Sequence, residues 1–143
     1  MPPFTRRHPA MLSYRHAFHA GNHADVLKHA VLAEVLDYYN AKDKPWTYID
    51  THAGAGCYAL AAAHTQQTGE FREGIGRLRD CGDLPELLAA YLAAVKDFNP
   101  DGALAVYPGS PAIAMTCLRA SDRMRLFELH PTDEPLLARF FRE

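Results

Sequence analysis

Apolar residues recur at near-helical spacing over residues 23–40. Leu27, Ala30, Val31, Val35, Leu36 and Tyr39 form the stripe, and Glu34 interrupts it. Asn22 is a suitable N-cap and Asp25 a suitable first-turn acid, so the pattern predicts a helix from 23 to 40. A polar break over 42–45 precedes a short aromatic and β-branched run, 46–50, that reads as a buried strand. The strand runs into Thr51-His52-Ala53-Gly54-Ala55-Gly56, a tight glycine turn. Residues 65–102 read as mainly helical. The segment 70–79 is weakened by Gly74 and Gly76, whereas 85–98 carries a continuous stripe of Leu87, Leu88, Tyr91, Leu92, Val95 and Phe98. Residues 107–111 read as a turn. Ser110 is placed to cap a helix that has Pro111 at its first position and runs to about 118. A second strand is expected over 125–129, and a last helix from Asp133 to about 141.

This order of helix, strand, glycine turn, helices, strand and helix is an α/β plan with parallel strands. It implies a main domain over 11–143 with a helical insertion at about 65–102, preceded by a ten-residue extension, 1–10. Only two strands are legible, so the domain reads as truncated after its second strand.

Composition narrows the class. The chain has 143 residues, 48% apolar and 22% charged, which suits one ordinary folded domain. The formal net charge of −2 gives no overall support to a nucleic-acid partner. The first thirty residues differ: Arg6, Arg7, Arg15 and Lys28 stand against Asp25, with five of the eight histidines alongside. Such a run fits either a phosphate-facing patch or a solvated basic tail. Cys57, Cys81 and Cys117 are isolated, which fits a reducing, cytoplasmic setting. No apolar run reaches membrane-spanning length, and no apolar core follows the early arginines as in a signal peptide.

The candidate chemistry begins at Asp50. A strand ending in an acid and followed by Gly-x-Gly, here Gly54 and Gly56, opens many nucleotide-binding α/β folds, where the ligand meets the carboxyl end of the strand. Alone, it also fits an ordinary tight turn. Glu128, at the end of the second strand, is placed to accept ribose hydroxyls, or equally to face solvent. The usual spacing is about 20 residues. Here 78 positions separate Asp50 from Glu128, and the helical insertion accounts for the excess. His16, His19 and His23 have helix-compatible spacing, yet no cysteine or carboxylate set completes a metal site. Polar contacts to a cofactor or to phosphate are the favoured role for the histidines.

The block from Met11 through Tyr14, Arg15, Lys28 and His29 resembles the N-terminal signature of the bacterial 23S ribosomal RNA adenine-N6-methyltransferase family. Asp50 to Gly56, Thr68-Gly69-Glu70, Tyr107 to Pro111 and Glu128 to Pro131 match that family in the same order. The resemblance implies a Rossmann-like S-adenosylmethionine-dependent fold with a small helical insertion. It implies cofactor contacts at Lys28, His29, Asp50, His52, Gly54, Gly56, Ser110 and Glu128, and substrate contacts at Tyr14 and Arg15. The implied partner is 23S rRNA, taken as protein-free RNA.

One feature departs from the family. The Asp/Asn-Pro-Pro-aromatic motif that positions an adenine amino group is missing, and Asn99-Pro100-Asp101 is a poor substitute inside the insertion. No catalytic residue is therefore assigned, and the chain is expected to be the cofactor-binding part, inactive alone. A DNA adenine methyltransferase and a non-catalytic cofactor- or RNA-binding fragment are the alternatives.

Overall fold

The computed structural model describes residues 14–79 and 81–142. The extension 1–10, with Arg6, Arg7 and His8, and the start of the signature block, residues 11–13, lie outside the described residues.

After a 3-10 turn at His16–Phe18, α1 spans His23–Asn40, as its pattern predicts. Its cap forms as the sequence implies: Asn22 Oδ1 accepts the Asp25 amide at 2.9 Å. The face it buries is not the predicted one. Asp25, His29, Ala30, Ala33 and Leu36 are inside, whereas Leu27, Val31, Val35 and Tyr39 of the predicted stripe are exposed. Two of these five buried residues are alanines, which lets α1 lie close against α4 (Ala89–Asp97) and α5 (Ser110–Cys117).

Among the described residues four strands are present rather than two. β1 (Thr47–Asp50) pairs in parallel with β4 (Arg123–Leu126), in the register Thr47↔Arg123 to Asp50↔Leu126. β2 (Cys57–Ala59) pairs antiparallel with β3 (Val106–Pro108), Tyr58 facing Tyr107. The second pair escapes sequence reading because each strand is three residues long, and β3 lies in the Pro- and Gly-rich stretch expected to be a turn. β4 begins two residues earlier than expected, since Arg123 and Arg125 alternate with Met124 and Leu126 and disguise the strand as polar. Glu128 thus stands two residues beyond the strand, on the loop that follows.

Between β2 and β3 the chain forms α2 (Ala63–Thr68), a 3-10 turn at Glu70–Arg72, α3 (Ile75–Arg79), a 3-10 turn at Glu86–Leu88, and α4. The weak segment at 70–79 breaks because Gly74 lies against the backbone of Gly21 and Asn22: a Cβ there would collide with Gly21 O. Gly109, not Ser110, is the N-cap of α5; Ser110 is its first residue, and its hydroxyl turns instead to Asp50. α6 (Asp133–Phe140) follows the loop after β4. The core joins Ala17, Ala20, Ala30, Ala33, Tyr58, Leu60, Ile75, Tyr91, Tyr107 and Ile113. It therefore unites the N-terminal segment, the helices between β2 and β3, and the β2–β3 pair. Among the described residues no helix is long and apolar enough to cross a membrane.

Candidate functional site

A cavity of about 550 Å³ opens where the carboxyl ends of β1 and β4 meet the N-terminal segment. Its wall on the strand side is the glycine turn. Gly54 has φ 64°, a left-handed conformation that favours glycine, and a Cβ there would meet the Tyr58 hydroxyl. The Gly54 amide donates to Glu128 Oε2 at 2.8 Å, and the amides of Leu129 and His130 donate to Glu128 Oε1, each at 2.7 Å. The glycine turn and the distant glutamate, 74 residues apart, are therefore in direct contact.

Asp50 works from behind this wall. Its Oδ2 accepts the hydroxyls of Tyr48 at 2.8 Å and Ser110 at 2.6 Å, and its Oδ1 accepts the His52 amide at 3.0 Å. The carboxylate thus ties β1, the turn and α5 together. It does not itself line the cavity, and neither does Gly56, whose carbonyl accepts the Gly109 amide at 2.8 Å.

The opposite wall is built by residues 14–29. Asp25, read in the sequence as a first-turn acid, is buried beneath it. Its Oδ2 accepts His16 Nε2 at 2.7 Å and the Gly21 amide at 3.0 Å, and Lys28 Nζ lies 2.9 Å from Oδ1. Burial alone would raise this carboxyl, but the hydrogen bond from His16 and the surrounding positive charge outweigh it and hold the group well below the usual carboxylate range. An ionised carboxylate only accepts, so Nε2 of His16 carries a proton, and in the neutral ring Nδ1 accepts the Tyr14 hydroxyl at 2.9 Å. The Tyr14 ring is exposed and stacks on His19, centroids 5.5 Å apart and 6° from parallel.

The Thr68-Gly69-Glu70 motif holds this wall in place. Glu70 bonds His19 Nδ1 at 3.0 Å and accepts the Asn22 side-chain Nδ2 at 2.9 Å; the Thr68 hydroxyl donates to the Phe18 carbonyl, and that of Thr65 to Ala17 O at 3.1 Å.

Of the residues singled out in the sequence, Tyr14, Lys28, His29, His52, Gly54, Ser110 and Glu128 line the cavity. Arg15 does not; its Nη2 lies 3.4 Å from Asp133 Oδ1, joining the N-terminal segment to the start of α6. His16 and His130, which the sequence offered only among the histidines suited to polar contacts, also line it, as do Tyr58, Gly109, Leu129 and Asp133, which were not picked out. Gly109 and His130 carried a signal, since both stand inside segments matched to the family. Tyr58 carried none beyond its closeness to Gly56. Among the described residues no cluster of three or more His, Cys, Asp or Glu is arranged to hold a metal.

His29 is fully buried on α1. Its Nδ1 lies 2.8 Å from the Tyr107 hydroxyl, and its Nε2 is buried without a hydrogen-bond partner among the described residues. Burial pushes the imidazole down to about 3, so the ring is neutral at physiological pH.

Parallel strands whose carboxyl ends hold a glycine turn, a helix start and an acidic side chain around one cavity are consistent with an α/β domain of methyltransferase-like class. The chain belongs to the family described as "Ribosomal RNA large subunit methyltransferase D, RlmJ", whose model matches residues 43–143. It is 55% identical over 133 residues to ribosomal RNA large subunit methyltransferase J of Escherichia coli K12, and 52% identical over 134 residues to the protein of that name from Haemophilus influenzae Rd. Each match covers 93% of this chain and 48% of the relative, so the chain spans about half the length of these curated relatives. A crystal structure of a Legionella pneumophila protein superposes with a TM-score of 0.77 at 43% identity, covering 84% of this chain and 44% of that one.

Proposed function

We propose that the chain is the cofactor-binding part of a Rossmann-like, S-adenosylmethionine-dependent enzyme that methylates adenine N6 in 23S rRNA. The contact between Glu128 Oε2 and the Gly54 amide carries this reading, because it brings a hydroxyl acceptor and a close-approach backbone together at one cavity. Three features suit the cofactor: the side-chain-free wall at Gly54, the acceptor at Glu128, and the unpartnered polar atom at His29 Nε2. Glu128 would hold ribose hydroxyls by charge-assisted bonds. Gly54, His52 and Ser110 would border the rest of the cofactor, with Asp50 and Gly56 holding that border in shape. When bound, S-adenosylmethionine supplies an electrophilic methyl group on a sulfonium centre.

The other wall suits RNA. Tyr14, exposed and stacked on His19, offers a face to an unstacked base. Lys28, whose ammonium keeps N–H donors beyond its contact with Asp25, presents positive charge at the cavity for a phosphate, which makes RNA binding salt-dependent. Arg15 acts indirectly, by fixing this wall to α6. No residue of the chain is assigned to position the acceptor amino group, so the reading has the isolated chain binding cofactor without transferring its methyl group.

Calorimetric titration with S-adenosylhomocysteine tests the proposal. Binding by the chain, weakened about tenfold or more in Glu128→Ala, is expected from the loss of a charged acceptor. An unchanged dissociation constant removes the role of Glu128, and radiolabelled methyl transfer to rRNA by the chain alone removes the inactive-part reading.

A further inference from the structure

A hydrogen-bonded line runs from the inserted helices into the cavity. Tyr91, on α4, lies with its hydroxyl 3.1 Å from that of Tyr107 on β3, and the Tyr107 hydroxyl lies 2.8 Å from His29 Nδ1. Tyr91, Tyr107 and His29 are all fully buried. At the far end, His29 borders the cavity and its Nε2 has no partner among the described residues.

Counting hydrogens gives the line a direction. If His29 carried its proton on Nδ1, it would donate to Tyr107, Tyr107 would donate to Tyr91, and the Tyr91 hydrogen would be buried with no acceptor among the described residues. In the opposite sense Tyr91 donates to Tyr107, Tyr107 donates to Nδ1, and every hydroxyl hydrogen is used. The one hydrogen left over is then on Nε2. A buried donor without an acceptor costs about 1–3 kcal/mol at either end of the line; His29 lines the cavity, into which water or a ligand can bring an acceptor, whereas Tyr91 does not, so the leftover hydrogen is favoured on Nε2. Burial also raises both phenols above the ordinary tyrosine range, so they remain protonated donors.

We infer that Tyr107 and Tyr91 are positioning residues that hold His29 as its Nε2–H tautomer, making it a neutral hydrogen-bond donor to an anionic acceptor of the cofactor, such as its amino-acid carboxylate. The acceptor rests on the S-adenosylmethionine reading; the tautomer does not. The line also gives the insertion a task at the site: a hydroxyl on α4 sets the proton position on a histidine of α1.

Long-range proton–nitrogen spectra of the nitrogen-15-labelled chain report the tautomer without any ligand. His29 is expected as Nε2–H. Tyr107→Phe keeps the ring but removes the donor to Nδ1, and is expected to shift His29 toward a mixture of tautomers while the thermal transition stays cooperative. Tyr91→Phe, which removes only the bias on direction, is expected to produce a smaller shift. A wild-type His29 found as Nδ1–H, or a tautomer unmoved in both variants, overturns the inference. S-adenosylhomocysteine titration provides the second arm. A loss of about tenfold is expected in Tyr107→Phe, equivalent to one hydrogen bond of about 1.4 kcal/mol. If the wild-type chain binds none while the spectra behave as expected, the cofactor reading falls and the relay stands.

Discussion

The two sides of α1 reverse the usual relation between side-chain size and burial. Its inner side carries Asp25, His29, Ala30, Ala33 and Leu36, while Leu27, Val31, Val35 and Tyr38 look outward at 69%, 52%, 45% and 62% exposure. The inner side is committed to close helix contact and to the cavity, so it tolerates little bulk; of its polar groups Asp25 is paired at both oxygens and His29 at Nδ1. At Leu27, Val31 and Val35 the outer side has the apolar volume of a core surface but is left uncovered by the described residues. The parallel strand pair repeats the contrast. Met124 and Leu126 share a cleft with Leu137 and Phe141 of the α6 region, whereas Ile49 is exposed on the alternate register. An apolar stripe in a sequence therefore marks a surface that is suited to burial, and not necessarily one that this length of chain buries. The curated relatives are about twice as long.

The contrast is open to direct attack. Leu36→Ala on the inner side is expected to lose about 2–5 kcal/mol in chemical denaturation, through lost burial and the cavity left behind. A loss below 1 kcal/mol would mean that the two sides do not differ. An intermediate effect comes from pH. The native chain keeps His29 unprotonated down to about 3, whereas the unfolded chain takes up this proton below about 6.5. Stability must therefore fall as pH drops from 6.5, by about 2 kcal/mol at pH 5, before most carboxylates titrate. Asp25, held ionised in the fold, adds its own loss at lower pH in the same direction. His29→Gln is expected to flatten the slope between pH 6.5 and 5, as followed by thermal midpoints. The smallest effect is expected outside. Val31→Glu should change stability by less than about 0.5 kcal/mol, while lowering any concentration-dependent association seen by light scattering. A large stability loss there would show that the outer side is already packed.

How much of this was legible beforehand depended on which force shaped each element. α1 and its cap could be read because local signals agree: Asn22, Asp25 and a long periodic run. β1 could be read as a strand because Tyr48 and Ile49 precede a glycine turn, but it is not the buried strand expected, since Ile49 is exposed. β2 and β3 could not, because a three-residue strand leaves no period, and Tyr58 and Tyr107 are paired by tertiary contact. The inner face of α1 was missed for a related reason: alanine and histidine contribute little to an apolar stripe, yet close packing selects the first and the Tyr107 hydroxyl the second. At the site, Glu128 and the glycine turn could be proposed as partners from their place at strand ends. Asp25 could not be distinguished from a routine helix-start acid, because its burial depends on residues 14–21 folding back over it.

The Glu128 carboxylate enters any encounter with a ligand partly engaged. A carboxylate offers about four lone-pair sites, and three amides already occupy positions on it. One hydroxyl can be received with nothing displaced, whereas a vicinal diol that claims both oxygens must loosen an amide. The amide of Leu129, whose side chain is almost wholly in solvent, is the one most readily released to water. Recognition of a ribose would then be a local exchange of partners, with the loop after β4 yielding as the sugar arrives, and the Leu129 amide would be its most sensitive spectroscopic reporter.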